Sequence, residues 1–229
     1  MVPTLLYLLF KKLRRQNWGR IKRNSISPLF IRSNQIIGVL IVLLLLLSFI
    51  LTAQKQVRNY KVLRNGSEIG WLNVERQTDS NSTTITMGTE VKVRFIFSFE
   101  SAAKEVSQFR DGKLQHSYYY RKTNGNVKAD RHTYLVGNNY EVGYETEKQK
   151  LNISPVAYNT LCMYFQEPVN IPKVYSDNHQ RFLDIKKEAD GGYKITSPDD
   201  TDNIFYYYKG VCYKVKINHS FYSAVLVLK

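Results

Sequence analysis

Alternation of apolar and polar side chains with a period of two, broken at short intervals by turn-forming pairs, constrains this chain more than any other feature. Val91, Val93, Phe95, Phe97 and Phe99 fall on one face of an extended chain; Lys92, Arg94, Ser98 and Glu100 fall on the other, with Ile96 the exception. Period two over such a stretch predicts an antiparallel strand with one face on a core. Tyr60–Leu63 and Ile69–Glu75 flank Asn65-Gly66, a strong hairpin sign. Further strands are expected at 83–87, 113–122, 127–136, 140–145, 182–188, 193–197, 203–209, 211–217 and 221–228. Their turns fall at Asp111-Gly112, Asn124-Gly125-Asn126, Asn138-Asn139, Asp190-Gly191-Gly192, 197–202 and Lys209-Gly210. Connections this short imply that neighbouring strands pair in sequence, as a meander.

One segment departs from the pattern. Ser154-Pro155 reads as an N-cap followed by proline at the first helical position. Val156, Ala157, Tyr158 and 161–165 are apolar, and Pro168 closes the run. A helix apolar nearly all round is a buried one. The expected fold is therefore all-β: a curved antiparallel meander sheet or open barrel of about eleven strands around one short helix over 154–167.

The chain has 229 residues and a formal charge of +14. Lys11, Lys12, Arg14, Arg15, Arg20, Lys22, Arg23 and Arg32 precede the apolar run Ile36–Leu51, and no acid precedes Glu68. Without those eight, 25 basic residues face 19 acidic ones, a charge of +6. That is too weak and too dispersed for a nucleic-acid face. The run of sixteen uncharged residues spans roughly 24 Å as a helix, short of the roughly 30 Å hydrocarbon core. Basic flank, apolar run and the small residue Ala53 together read as a secretory signal cut after Ala53. The basic leader, 1–35, is longer than a signal needs. Either the start lies downstream, or 36–51 is an uncleaved anchor with its positive end inside. Both place 54–229 across a membrane as one β-rich domain, periplasmic or extracellular, and touching the membrane only through the N-terminal segment.

Export invites a disulfide between Cys162 and Cys212. However, Cys212 shares its strand face with Lys214 and Lys216 while Val211, Tyr213, Val215 and Ile217 share the other, which argues against one. No histidine pair has metal-ligand spacing, and the acidic turn Asp199, Asp200, Asp202 lacks the ligands of a calcium loop. There is no G-x-S-x-G and no phosphate-binding glycine loop. No cofactor and no enzymatic activity are expected. The strongest candidates are His116, Tyr118 and Tyr120 on one strand and His132 and Tyr134 on the next, with Tyr140 beyond. If those strands are adjacent, their side chains approach a common interior. A tyrosine-rich lining, apolar with hydroxyl tips, suits a lipid-like ligand.

Five ordered stretches carry a resemblance: Tyr60–Gly66 with Ile69-Gly70; Phe109–Leu114; Ser154 through Tyr164–Pro168; Val174–Ser176; and Asn203 through Tyr206, Tyr208, Lys209 and Gly210. In these the chain resembles a family of exported, β-rich domains of unknown function from Bacteroidota-type bacteria. More loosely, it is similar to periplasmic lipoprotein-carrier half-barrels that hold a helix against a curved sheet. The resemblance implies a secreted antiparallel β-domain and assigns no functional residue. The function expected is a non-enzymatic cell-envelope protein binding an apolar or amphipathic ligand. The alternatives are a structural or protein-interaction domain with a self-filled interior, or an enzyme.

Overall fold

Hairpin after hairpin, the chain from Gln54 to Leu151 lays down eight antiparallel strands, each beside the one before it. They are β1 (Gln54–Arg64), β2 (Ser67–Asp79), β3 (Ser82–Arg94), β4 (Ser98–Arg110), β5 (Lys113–Thr123), β6 (Asn126–Val136), β7 (Asn139–Gly143) and β8 (Lys148–Leu151). A crossover, 152–172, carries the 3-10 turn Thr160–Tyr164. It leads to β9 (Lys173–Ser176), β10 (Arg181–Lys187), β11 (Tyr193–Thr196), β12 (Asp202–Tyr208), β13 (Val211–His219) and β14 (Tyr222–Leu228). The computed structural model describes Gly38 and residues 54–94, 98–143, 148–220 and 222–229. Residues 1–53, which hold the leader and the apolar run, lie outside the described residues, Gly38 excepted. Among the described residues no helix is long and apolar enough to cross a membrane.

All fourteen strands belong to one sheet, ordered β8-β7-β6-β5-β4-β3-β2-β1-β14-β13-β12-β11-β10-β9. The expected all-β curved antiparallel sheet is what the structure shows. The meander holds within each half, and β1 pairs with β14 (Tyr60 opposite Leu228) to join the halves. The sheet is not closed by strand pairing. Side chains link its β9 end to β6 instead: Thr133 Oγ1 lies 3.1 Å from Tyr175 Oη, and Gln180 Nε2 donates to the His132 carbonyl at 2.8 Å. The glycine turns behave as expected. Asn65-Gly66, Asp111-Gly112, Asn124-Gly125 and Lys209-Gly210 have positive φ at both residues, the geometry whose twist matches a two-residue hairpin.

Four expectations need correction. The alternating stretch 91–99 is not one strand: β3 ends at Arg94 and β4 starts at Ser98, with 95–97 outside the described residues. The alternation runs through a hairpin without a glycine or proline to mark it, yet its phase survives, since Val91, Val93 and Phe99 all face the interior cavity. Secondly, β4 itself, SFESAAKEVSQFR, is a thirteen-residue strand with the composition of a helix. Pairing with β3 along its whole length and with β5 along most of it overrides its weak propensity. With β8 and β9, it brings the sheet to fourteen strands.

Thirdly, the helix expected over 154–167 is a 3-10 turn of five residues, capped by Asn159 rather than Ser154. Residues 152–158 are not helical because the barrel wall takes their backbone groups. Val156 O accepts from Leu114 N at 2.8 Å, Val156 N donates to Tyr140 Oη at 3.1 Å, and Tyr158 O accepts from Tyr175 N at 3.1 Å. Fourthly, Cys212 is fully buried while Tyr213 is 40% exposed. Tyr206 pairs with Lys214 but Tyr207 with Cys212, so Tyr213 is a bulge that reverses the strand's phase. Both cysteines are free thiols.

The crossover fills one end of the barrel. Val156, Tyr158, Leu161, Met163 and Phe165 join the buried core formed by inward residues of both halves of the sheet. Arg58 donates to the Tyr164 carbonyl, and the guanidinium groups of Arg58 and Arg76 lie 5.1 and 5.0 Å from the Phe165 ring centre. Tyr207 Oη donates to Met163 O at 2.6 Å. Tyr207 and Tyr140 thus serve this plug, satisfying a carbonyl and an amide that a non-helical buried segment would otherwise leave orphaned.

Two substitutions test these contacts. A Cβ on Gly70 would stand 2.1 Å from the Glu90 carbonyl oxygen. Gly70→Ala should therefore lower unfolding free energy in urea by about 1–3 kcal/mol through overpacking. Tyr207→Phe, which strips the buried Met163 carbonyl of its donor, should cost about 1–3 kcal/mol in the same titration.

Candidate functional site

Every strand runs antiparallel to its neighbours, so the turns leaving β1, β3, β5, β9, β11 and β13 gather at one rim. The crossover starts and ends at the other. The plug therefore enters from the second rim and stops part-way. Above it lies a cavity of about 660 Å³, whose floor includes Thr160, Leu161 and Tyr164. This volume falls within the roughly 300–1,000 Å³ typical of small-molecule sites.

The lining is divided by wall. β1, β2, β13 and β14 contribute Val62, Ile69, Leu72, Ile217, Ala224 and Leu226, with Arg64, Tyr222 and Ser223 at their rim ends. On the β4–β5 side stand Glu105, Tyr119, Arg121 and Thr123, with Asn178, His179 and Asp199 coming from the turns after β9 and β11. A ligand here would meet an apolar wall on one side and a polar one on the other.

At the join of wall and plug is a buried acid pair. Glu105 of β4 and Asp177 after β9 are 5% and 1% exposed. Burial raises both above their usual carboxylate range, and Glu105 is raised further by the neighbouring Asp177 carboxylate and by its hydrogen bond to it. Asn159 Nδ2 donates to Asp177 Oδ2 and to Ser107 Oγ, both at 2.7 Å, while its own Oδ1 caps the 3-10 turn through Cys162 N. Thr160 Oγ1 donates to Glu105 Oε1 at 3.4 Å. Burial pushes the Tyr119 phenol, opposite Glu105 on β5, up to about 12 and the Cys162 thiol up to about 12. At neutral pH these groups keep their protons.

The six residues singled out from sequence lie elsewhere. Gln108 pairs with His116 but Phe109 with Leu114, so Gln115 is a bulge. Leu114, Ser117 and Tyr119 point inward and are buried, whereas His116, Tyr118 and Tyr120 take the outer face. His132 and Tyr134 flank the buried, inward Thr133 on β6 and are outward too. The adjacency was legible and the side of the sheet was not. The five rings form a file on the outer surface: His116 to Tyr134 at 4.5 Å, Tyr118 to His132 at 4.6 Å and Tyr118 to Tyr120 at 6.2 Å between centres. Lys122 and Lys148 lie over its end rings. Burial, then the neighbouring His132, lowers the His116 imidazole below its ordinary range. Tyr140 does point inward, but at the plugged end, donating to Leu114 O at 2.9 Å. The acidic turn is a turn: Asp199 Oδ1 accepts from Thr201 N and Asp202 Oδ1 from Thr196 Oγ1.

Residues 60–229 match the family described as a domain of unknown function, DUF6134. The chain belongs to the DUF6134 family. No curated protein matches it. Among solved structures it is similar to the β-barrel-like protein of domain of unknown function DUF1849 from Brucella abortus. The identity is 11%, over 78% of this chain and 96% of that one, with a TM-score of 0.47. In this DUF6134 domain, sequence reading missed Glu105, Arg121, Asp177 and His179. Glu105 carried a signal, since it shares an alternate phase with Ala103, Ser107 and Phe109. Asp177 and His179 carried none, as their turn enters the interior only through the tertiary fold.

The acid pair makes stability depend on pH in a stated sense. A carboxyl raised in the folded state stabilises the fold fully below its unfolded value, near 4.5 for Glu105, and loses that contribution as pH rises through the folded value. Glu105→Gln keeps a neutral donor for Asp177. Urea midpoints measured from pH 4.5 to 9 should fall with pH more steeply in the wild type than in Glu105→Gln, and parallel curves would contradict the shared proton.

Proposed function

We propose that this chain is a non-enzymatic, exported cell-envelope protein whose barrel holds an apolar or amphipathic, lipid-like ligand. The observation that carries this reading is the cavity of about 660 Å³ above the plug, apolar on one wall and polar on the other. The plug fills one end of the barrel, and its 3-10 turn forms part of the cavity floor rather than occupying the space. That favours a ligand over a wholly self-filled interior. The acid pair joins plug to wall, and no reaction is assigned to it.

Export rests on the basic leader and apolar run, and covers the periplasmic, extracellular and inner-membrane-anchored cases alike. The looser likeness to lipoprotein-carrier half-barrels, and an origin in a Bacteroidota-type bacterium, accompany this reading. Nucleic acid is not a partner in it, because the mature charge of +6 is spread over many strands.

The test is native mass spectrometry of the chain purified from a bacterial envelope without detergent. The wild type should carry an added mass that organic extraction removes. Ala103→Trp, which places an indole among the cavity-lining side chains, should cut the loaded fraction at least tenfold while the β-sheet signal in circular dichroism is kept. A wild type free of added mass even from its native host would sink the proposal.

A further inference from the structure

Two arginines line the cavity, Arg64 at the end of β1 and Arg121 on β5, and among the described residues Arg121 has no acidic partner. Arg121 lines it from β5, two residues from the rim. Its Nε is buried and has no hydrogen-bond partner. Arg121 is half-buried and cannot shed its charge, so a ligand that displaces water from the guanidinium has to supply a counter-charge. Two acids line the cavity with it, Glu105 and Asp199, and among the described residues neither forms an ion pair with it. Glu105, one inward position deeper on β4, is driven toward its neutral form by burial and by the neighbouring Asp177 carboxylate. Asp199 accepts from the Thr201 backbone at 3.3 Å. The strand partners of Arg121 are Ala103 on β4 and Ala129 on β6, so small side chains flank it and leave the guanidinium unobstructed. His179 lines the same side from the rim.

We propose that the ligand carries a compact anionic head, a carboxylate or a phosphate, paired with the Arg121 fork, while its apolar body lies against Val62, Leu72, Phe205, Ile217 and Leu226. This rests on the reading of the cavity as a lipid-like site and specifies the ligand's chemistry. The arginine fork matches both oxyanions in bidentate geometry. The apolar wall supplies affinity in proportion to the area it covers. Arg121 thereby gains the counter-charge that the protein itself withholds.

The test uses the full chain, stripped of bound lipid, in isothermal titration with decanoate, decyl phosphate and uncharged decanol. At least one anion should bind ten or more times tighter than decanol. Arg121→Met should collapse that gap while leaving decanol affinity unchanged, and Arg121→Lys should retain part of it. Decanoate binding at least as tightly as decyl phosphate would point to a free fatty acid; a tenfold preference for the phosphate would point to a phospholipid head. If decanol binds wild type as well as both anions, or the gap survives in Arg121→Met, the anionic-head assignment is overturned and the lipid-like site stands. If none of the three binds, both fall. Should Arg121→Met fail to fold, the comparison of the three ligands on wild type still decides.

Discussion

The rest of the structure depends on how a non-helical peptide segment is kept inside a β-barrel. Buried backbone groups must be paired, and 152–165 has only one short 3-10 turn to pair its own. The wall supplies what is missing, through tyrosine hydroxyls, the Arg58 guanidinium and strand amides, and the segment's own Asn159 reaches out to the wall. Asn159 is the junction: it caps the turn, bonds Ser107 on β4 and bonds Asp177 after β9. Its neighbour Thr160 bonds Glu105, so two distant parts of the sheet are tied to the plug by adjacent residues. A buried polar network of this kind is favourable only when its members are satisfied. A proton shared between the two acids avoids two negative charges side by side in a dry interior.

The plug also explains the tyrosine content. Tyr60, Tyr140, Tyr158 and Tyr207 each donate to a backbone carbonyl at 2.6–2.9 Å. An amphipathic ring packs in the core while its hydroxyl answers a buried acceptor. Tyr207 bonds the plug directly, Tyr158 bonds within the crossover, Tyr140 ties Val156 to β5, and Tyr60 bonds β13 while its ring packs on Tyr164. The cavity lies above them, bounded by aliphatic strand residues and one polar flank. Its shape follows from where the plug stops, and its polarity from which strands face each other once β9 is drawn toward β6.

Bulges decide which side chains reach that interior. One extra residue in a strand moves everything beyond it to the other face. Gln115 sends His116, Tyr118 and Tyr120 outward and brings in Ser117, Tyr119 and Arg121. Tyr213 does the same for Cys212. A count by twos from Leu114 or Val215 is sound until it meets the bulge, and neither bulge is marked by a glycine. Hence the sequence reading paired the histidine strands correctly yet placed their rings on the wrong side. The same count left Arg121 unremarked.

By itself the sequence determined the class of fold and much of its order. Period-two patterning sets each strand's faces over short spans, and Asn-Gly and Asp-Gly pairs set the hairpins, because both effects act between residues a few positions apart. Only the tertiary structure decided the length of the 154–167 helix, the strand identity of β4, the side on which the histidines emerge and the meeting of Glu105 with Asp177. Each of these depends on partners far away in the chain. A segment with helical composition becomes a strand when two neighbours offer it a ladder, and an apolar segment stays unwound when the wall around it pairs its backbone groups.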